Sequence, residues 1–290
     1  MRRLIYDPIA KEQMVIAVGV SGFGTNFERI YESDPAKSKR YVVFSNAPDC
    51  RAVARATELE LDVVTLDSKE YAKGKRMPRK GAERDSYDKE LFTMVERHAK
   101  PDLVCLAGYD LWIGDWAVQK YFPTMLNVHP GDTTKGFSGL LWVPCAKAIL
   151  AGEDSVKSTL FFVNETDDGG PVLMQSASLP LSHWERELYE IRDFASAHDS
   201  RTMGKLRAAA EANGRGDIVT NLKTVAEQVQ DRLKREGDWK IYPFAVHEMI
   251  AKGRVAIDNK GTVYVDGTAM PNEGYQVDRY GFAPKIERWV

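Results

Sequence analysis

The sequence predicts an α/β fold: a doubly wound, mostly parallel sheet, followed by C-terminal helices and a β-hairpin. Over about the first two-thirds of the 290 residues, short apolar runs alternate with helical patterns, which is typical of a parallel sheet covered by helices. The predicted strands are residues 14–20, 41–46, 62–66, 102–108, 125–129, 158–163 and 171–178. The helical patterns between them are residues 26–32, 51–59, 87–98 and 143–151.

The C-terminal part, residues 223–290, has a different organisation. Two helices are expected at about 218–236 and 241–252. They precede a hairpin, R-V-A-I-D-N-K-G-T-V-Y-V-D-G, in which Asn-Lys-Gly forms the turn.

A polar segment, residues 182–222, separates these two parts. It contains helical patches and no strand signal, which predicts a helical or irregular insertion packed on the surface without a core of its own. We therefore expect one domain over residues 1–290, with its catalytic α/β core at 14–181.

Composition and charge favour a small-molecule protein of the cytoplasm. With 43% hydrophobic residues, 28% charged residues and a net charge of −2, nothing indicates a nucleic-acid or membrane partner. Cys50, Cys105 and Cys145 lie far apart without ligand-like spacing, so we expect reduced thiols and no metal. No apolar run reaches the roughly 18 residues of a membrane span, and no signal-peptide core is seen. A homodimer is an open alternative to a monomer.

The first strand leads through S-G-F-G-T-N-F (21–27) into a helix. Glycines let the backbone turn tightly, and a helix N-terminus offers free N–H groups at the positive end of its dipole. The stretch has neither the G-K-[ST] of a Walker loop nor the last glycine of a dinucleotide fingerprint. It indicates a phosphate cradle, with a plain strand-to-helix connection as the alternative.

Asn127 and His129 lie two residues apart in M-L-N-V-H-P-G (125–131). On a strand, residues i and i+2 point to the same side, so both polar groups face one spot. Near the carboxyl end of a parallel strand, that spot lies where open α/β sheets bind ligands. A core histidine bonded to a neighbouring carboxamide is the alternative, but the H-P-G that ends the strand favours a cleft.

A third polar stretch, N-E-T-D-D-G-G-P (164–171), lies between two apolar strands. Its aspartates and glycines permit a tight loop that directs a carboxylate into a pocket. The alternative is a plain turn, since Asp-Gly is a common turn pair. The three stretches together supply an amide, an imidazole, a carboxylate and an anion cradle. Because no metal set and no nucleophilic Ser or Cys motif is present, they favour direct transfer aided by acid–base and oxyanion stabilisation.

Residues 68–85 form a long basic connection. It is either a solvated loop or a mobile flap that attracts an anionic ligand. Its cations are Lys69, Lys73, Lys75, Arg76, Arg79, Lys80 and Arg84.

The order of these motifs resembles a known family. V-S-G-F-G-T-N, P-D-L-V-C-L-A-G-Y, L-N-V-H-P, D-D-G-G-P-V-L-M-Q and P-N-E-G-Y follow one another as in the phosphoribosylglycinamide formyltransferase family, the folate-dependent transformylases of purine synthesis. The resemblance covers about residues 14–181 and 222–276. It implies transfer of the formyl group of 10-formyltetrahydrofolate, the co-substrate, to the primary amine of glycinamide ribonucleotide, without a metal.

The resemblance also implies a role for each catalytic residue. Asn127 and a protonated His129 would stabilise the oxyanion that forms when the amine attacks the formyl carbon, with His129 as the proton donor. Asp168 would raise the pKa of His129 and help to move the amine proton.

Binding residues are implied in the same way. Gly24, Thr25 and Asn26 would hold the ribose phosphate, and Arg235 and Asp238 would reach the glycinamide end, with Asp238 in place of a family glutamate. The implied folate pocket consists of Arg84, Asp110, Leu111, Trp112, Ile113, Asn127, Asn164, Glu165, Thr166, Asp167 and Asp168.

The chain departs from the family at the walls of this pocket. Leu111 replaces a usual arginine, and Leu141 and Val143 lie near two missing histidines of the loop that follows the N-x-H-P motif. Three alternatives follow: a formyltransferase acting on another amine such as an amino sugar nucleotide, a 10-formyltetrahydrofolate hydrolase, and a non-catalytic binding protein. The last is least favoured, since Asn127, His129 and Asp168 are all present.

Overall fold

The computed structural model describes residues 2–11 and 13–282, so residues 283–290 of the C-terminal part lie outside the described residues. Each strand predicted in the α/β core is present. The strands are β1 (Arg2–Leu4), β2 (Val15–Val20), β3 (Arg40–Ser45), β4 (Asp62–Thr65), β5 (Leu103–Leu106), β6 (Met125–His129), β7 (Ser155–Val156), β8 (Thr159–Phe162), β9 (Val172–Gln175), β10 (Leu179–Pro180), β11 (Val255–Asp258), β12 (Val263–Val265), β13 (Thr268–Ala269) and β14 (Tyr275–Gln276).

The helices alternate with the core strands and then dominate the last third of the chain. They are α1 (Thr25–Glu32), α2 (Arg51–Glu58), α3 (Ser68–Tyr71), α4 (Ala82–His98), α5 (Asp115–Tyr121), α6 (Val143–Ala151), α7 (Glu185–Ala197), α8 (Met203–Ala212), α9 (Gly216–Leu233), α10 (Trp239–Phe244) and α11 (Val277–Tyr280). None of the helices described here is long and apolar enough to cross a membrane.

The main sheet has eight strands in the order β14-β9-β8-β6-β5-β2-β3-β4. Pairing is parallel from β6 through β5, β2 and β3 to β4, and antiparallel where β8 joins β6 and β9. On the parallel side, β2 is fully buried, because both faces of the sheet are covered. The predicted mostly parallel α/β fold is confirmed.

Alternate residues of β2 show how both faces are covered. Ile16 and Val18 belong to the core that contains Phe27 of α1. Ala17, between them, points the other way, into the core that contains Leu91 of α4. The sheet is therefore doubly wound.

The position of β2 creates a crevice at the carboxyl ends of the central strands. β3 and β4 lie on one side of β2, whereas β5 and β6 lie on the other. The segments that leave the carboxyl ends of β2 and β5 consequently diverge, and such a switch point is where open α/β sheets bind ligands.

The polar segment 182–222 is predominantly helical but is not a coreless surface insertion, so that expectation is wrong. α7, α8 and α9 pack with α6 and bury a hydrophobic cluster of their own, which includes Ile149, Ile191, Leu206, Leu222 and Val229. The polar residues of these amphipathic helices dominate the composition and hide the sparse apolar stripe that faces the cluster.

The two predicted C-terminal helices form one uninterrupted helical run over residues 216–250, since π-helical turns at Lys234–Asp238 and Ala245–Ile250 join α9, α10 and the residues beyond. The predicted hairpin is present as β11 and β12. It is extended by β1 and β13 into a separate four-stranded sheet, which the sequence did not indicate.

Ile191→Ala tests whether the 182–222 segment depends on its own core. Ile191 is fully buried, so the truncation should lower the free energy of unfolding by about 2–5 kcal/mol. The measurement is urea unfolding followed by circular dichroism. Tyr189→Ala, on the same helix at 72% exposure, is the matched control and should change stability by less than about 0.5 kcal/mol. Equal, small effects of the two substitutions would contradict the packing described here.

Candidate active site

A cavity of about 400 Å³ lies at the crevice, at the carboxyl ends of β2, β5 and β6. It gathers nearly all site residues that the sequence predicted. Those that line it are Gly24, Thr25, Asn26, Asp110, Leu111, Trp112, Ile113, Asn127, His129, Asn164, Glu165, Thr166, Asp167, Asp168 and Asp238. Arg84 and Arg235 do not.

The start of α1 forms one end of the cavity. Gly24 caps the helix with φ 76°, a left-handed conformation that favours glycine. A Cβ at this position would lie 2.5 Å from the Cβ of Ala52, so the close approach of α2 also demands glycine. Thr25 and Asn26 of the first turn line the cavity, and the first N–H groups of a helix have no partner within the helix, as an anion cradle requires.

Three polar side chains hold the diverging segments together at the switch point. Ser21 Oγ donates to Asn46 Oδ1 at 2.5 Å, and Asn46 Nδ2 donates to Asp110 Oδ1 at 2.9 Å. The backbone N–H of Asp110 in turn donates to Ser21 Oγ at 2.9 Å. This closed ring fixes the segment after β5, which carries Leu111, Trp112 and Ile113.

Asn127 and His129 project from β6 to the same side, as predicted. Leu126 and Val128, which alternate with them, belong to the core on the opposite face. His129 is only 5% exposed, whereas Asn127 is half-buried. The side-chain amide of Asn127 makes no hydrogen bond to the part of the chain that the structure describes, so its donors are available to a ligand.

The ring of His129 lies between two oxygen acceptors. Its Nε2 lies 3.1 Å from the carbonyl oxygen of Phe137, and its Nδ1 lies 3.8 Å from Oδ2 of Asp168. A carbonyl cannot donate, so the neutral ring carries its proton on Nε2 and leaves Nδ1 open toward Asp168.

Burial lowers the pKa of His129, whereas the Asp168 carboxylate and the Phe137 carbonyl raise it and Lys147 lowers it further. The expected direction of the Asp168 effect is thus present, but burial outweighs it. Desolvation therefore favours the neutral ring in the ligand-free protein, and the protonated His129 expected during transfer stays a prediction. The family resemblance implied the charge partner, Asp168, but the sequence does not show how deeply His129 is buried.

Asp238 lies in the first π-helical turn and is buried beneath the cavity. Ser158 Oγ donates to its Oδ1 at 2.5 Å. Burial raises the pKa of Asp238 to about 6, although Ser158, the Asn26 amide and Lys234 lower it. Close by, Asn26 Oδ1 is buried without a donor from the described residues.

Lys234, not Arg235, is the cation at this end of the cavity. Gln230, Lys234 and Asp238 follow one another at four-residue intervals, lie on the same side of the helical run and line the cavity. Arg235 is 60% exposed and pairs with Asp231 on the solvent side, so its predicted binding role is not supported. The four-residue spacing was visible in the sequence, but not the direction in which that side of the helix faces.

Arg84 is likewise not a pocket residue. It is fully buried in α4, where it pairs with Asp88 through a bond of 3.1 Å from Nε to Oδ2. Asp88 also accepts from the backbone N–H of Gly114 at 2.6 Å. The pair therefore anchors the segment that follows β5 from behind, instead of contacting a ligand.

The loop between β6 and α6, which departs from the family pattern, forms an apolar rim. Leu140 and Leu141 line the cavity although they are 58% and 70% exposed. Phe23, at 72% exposure, adds to the same rim. Among the described residues, no group of three His, Cys, Asp or Glu side chains could hold a metal ion.

Comparison with known proteins assigns the family. Residues 14–191 match the family described as formyl transferase. Because this match spans most of the chain, the chain belongs to the formyl transferase family, which implies a folate-type co-substrate.

Individual relatives extend the similarity beyond the matched region. The phosphoribosylglycinamide formyltransferase of Escherichia coli is 25% identical over 268 residues, which cover 91% of this chain and 100% of the relative. That of Haemophilus influenzae is 26% identical and covers 90% and 97%. The structure of the Coxiella burnetii enzyme has a TM-score of 0.62 at 23% identity, covers 91% of this chain and 99% of that one, and so shares its fold.

Asp168→Asn tests the charge coupling at the centre of the cavity. The substitution keeps the shape and removes the carboxylate charge that raises the pKa of His129. NMR titration of the ring should give a pKa below the ordinary value of about 6.5 in the native protein and a lower one still in the variant. An identical titration of the two proteins would contradict the coupling.

Asp238→Asn tests the buried carboxyl. Because its folded-state pKa, about 6, lies above its ordinary value of 3.8, it contributes stability below about pH 4 that is lost as the pH rises through 6. The native protein should therefore lose up to about 3 kcal/mol relative to the variant between about pH 4 and pH 7. Urea unfolding across this range measures the difference. Asp231→Asn, at a half-exposed position, is the control and should run parallel to the native protein.

Proposed function

We propose that this protein transfers the formyl group of 10-formyltetrahydrofolate to the primary amine of glycinamide ribonucleotide. One observation carries the proposal: Asn127, His129 and Asp168 line the same cavity as an anion cradle at α1 and an apolar wall after β5. A reaction between a phosphate-bearing amine and a formylated folate needs these three parts together.

The phosphate end of the acceptor fits the start of α1. The N–H groups at Thr25 and Asn26 and the ammonium of Lys234 supply the positive charge. The buried Asn26 Oδ1, which lacks a donor in the described chain, is suited to a hydroxyl or amine of the same substrate, since an unsatisfied buried acceptor costs about 1–3 kcal/mol.

The folate fits the opposite wall. Leu111, Trp112, Ile113 and Val118 offer apolar surface to its rings, and the loop of residues 164–168 offers polar groups beside it. Within that loop Asn164 Oδ1 accepts from the N–H and hydroxyl of Thr166 at 3.0 and 2.6 Å, which holds the turn that leads to Asp168. A mostly apolar pocket with a few fixed polar groups is typical of small-molecule sites.

The three catalytic side chains divide the chemistry. As a bond forms between the amine nitrogen and the formyl carbon, the free amide of Asn127 donates to the formyl oxygen, where negative charge develops. The proton that leaves the amine reaches Nδ1 of His129, and the Asp168 carboxylate stabilises the resulting imidazolium. When the bond between the formyl carbon and the folate nitrogen breaks, the imidazolium returns a proton to that nitrogen, and the protein regains its starting state.

The direct experiment is identification of the formylated product by mass spectrometry after incubation with 10-formyltetrahydrofolate. Glycinamide ribonucleotide, an amino sugar nucleotide and water alone serve as parallel acceptors. Formylation of glycinamide ribonucleotide supports the proposal. The apolar rim of Leu140 and Leu141 motivates the amino sugar arm, and preferential formylation there would reassign the acceptor.

Thr25→Asp refines the same experiment, because it places a carboxylate against the proposed phosphate position. Glycinamide ribonucleotide should raise the melting temperature of the native protein and not that of this variant. The cytoplasmic location expected from the sequence stays a prediction, and the homodimer stays an open alternative, which light scattering after size exclusion tests.

His129→Ala should remove formyl transfer almost completely. The loss of the group that takes and returns the proton should reduce kcat by at least about 100-fold, while the circular dichroism spectrum stays native. His183→Ala, at an exposed position outside the cavity, is the matched control and should keep full activity. Near-normal turnover of His129→Ala would contradict the mechanism.

A further inference from the structure

The catalytic cavity continues outward into a second cleft. Trp112 and Leu140 line both, so the two spaces adjoin. The other wall of the cleft is formed by residues 76–79 of the connection between α3 and α4, with two arginines, Arg76 and Arg79, among them. A ligand that extends past Trp112 therefore enters a cleft with positive charge on one side.

This basic segment is fixed against both walls of the catalytic cavity. The guanidinium carbon of Arg79 lies 3.6 Å from the centre of the Trp112 ring, a cation–π contact. Lys80 donates to the carbonyl oxygen of Glu165 at 3.1 Å, and its Nζ lies 3.5 Å from Asp115. The segment thus bridges the loop that carries Asp168 and the turn that follows Trp112.

The positive charge of Arg79 in this segment is not held in a strong ion pair. Nη1 of Arg79 lies 3.7 Å from Oδ2 of Asp167, and both side chains are more than half exposed. Such exposed ion pairs contribute little free energy. An incoming carboxylate can therefore replace Asp167 as the partner of the Arg79 guanidinium. A guanidinium stacked on an aromatic ring keeps its N–H edge free for bidentate binding of a carboxylate.

In the folate pocket that the family resemblance implies, neither position 111 nor position 84 offers a guanidinium to a ligand. Leu111 is apolar, and the guanidinium of Arg84 is buried against Asp88 behind the wall of the cavity. With no guanidinium available at either position, a carboxylate-bearing tail at the outer end of the folate pocket would need arginines from another segment. Arg76 and Arg79 line the adjoining cleft at that end.

We propose that Arg76 and Arg79 bind the carboxylates of the glutamate tail of the folate, which leaves the catalytic cavity between Trp112 and Leu140. Lys80 acts as a positioning residue that holds the segment over the cleft. The proposal rests on the proposed function and adds to it the residues that recognise the tail.

Binding of two probes tests the proposal: tetrahydrofolate, and tetrahydropteroate, which lacks the glutamate. The native protein should bind tetrahydrofolate about tenfold or more tightly than tetrahydropteroate, as measured by titration calorimetry. In the double variant Arg76→Gln/Arg79→Gln, tetrahydrofolate binding should weaken to about the level of tetrahydropteroate, whose own affinity should not change. Arg79→Lys keeps the charge without the fork and should fall between the two proteins.

Lys73→Gln/Lys75→Gln is the charge-matched control, since both lysines belong to the same connection but do not line the cleft. It should retain the native preference for tetrahydrofolate. Equal affinity of the native protein for both probes, or an equal loss in the two double variants, would overturn the assignment. Formyl transfer, measured in parallel, distinguishes failure of the tail site from failure of the proposed function. If product forms but the arginine substitutions do not affect tetrahydrofolate binding, only the tail site is refuted. If no amine yields a formylated product, the proposed function is refuted.

Discussion

Two-sided burial of the central strands is the constraint on which the rest of the structure depends. β2, β5 and β6 have helices or apolar residues on both faces, so their polar side chains are tolerated at the carboxyl ends, where the backbone leaves the sheet. Asn127 and His129 lie at one such end, and the α1 cradle follows another. Because parallel strands end at the same edge, these groups share a cavity without any long-range interaction that is specific to them.

Burial also shifts the pKa values of two groups in the site. His129 and Asp238 are both desolvated, and desolvation favours the neutral form of each, which lowers the pKa of the imidazole and raises that of the carboxyl. A neutral His129 is able to accept a proton, and the nearby Asp168 carboxylate reduces the cost of holding it. The balance between desolvation and one adjacent charge is how a buried acid–base group is tuned for proton transfer near neutral pH.

Burial and backbone geometry determine which charged side chains reach the pocket walls. Leu111 carries no charge and Arg84 is turned inward, where its pair with Asp88 braces Gly114. At the other end, the π-helical turn places Lys234 and Asp238 on the cavity side and leaves Arg235 in solvent. Such turns are frequent at functional sites because one extra residue shifts which side chains face inward. Burial and backbone geometry therefore decide which charges face the cavity.

The sequence by itself determined the α/β class, the core strands and the pairing of Asn127 with His129, because periodicity and i, i+2 geometry are local properties. It also indicated the glycine-rich turn that leads from β2 into α1. Only the tertiary structure decided the burial that lowers the pKa of His129, the inward turn of Arg84, the choice of Lys234 over Arg235 and the separate core of α6 to α9. Each of these depends on how deeply a side chain is buried and on which distant segment packs against it, and neither quantity is encoded in neighbouring residues.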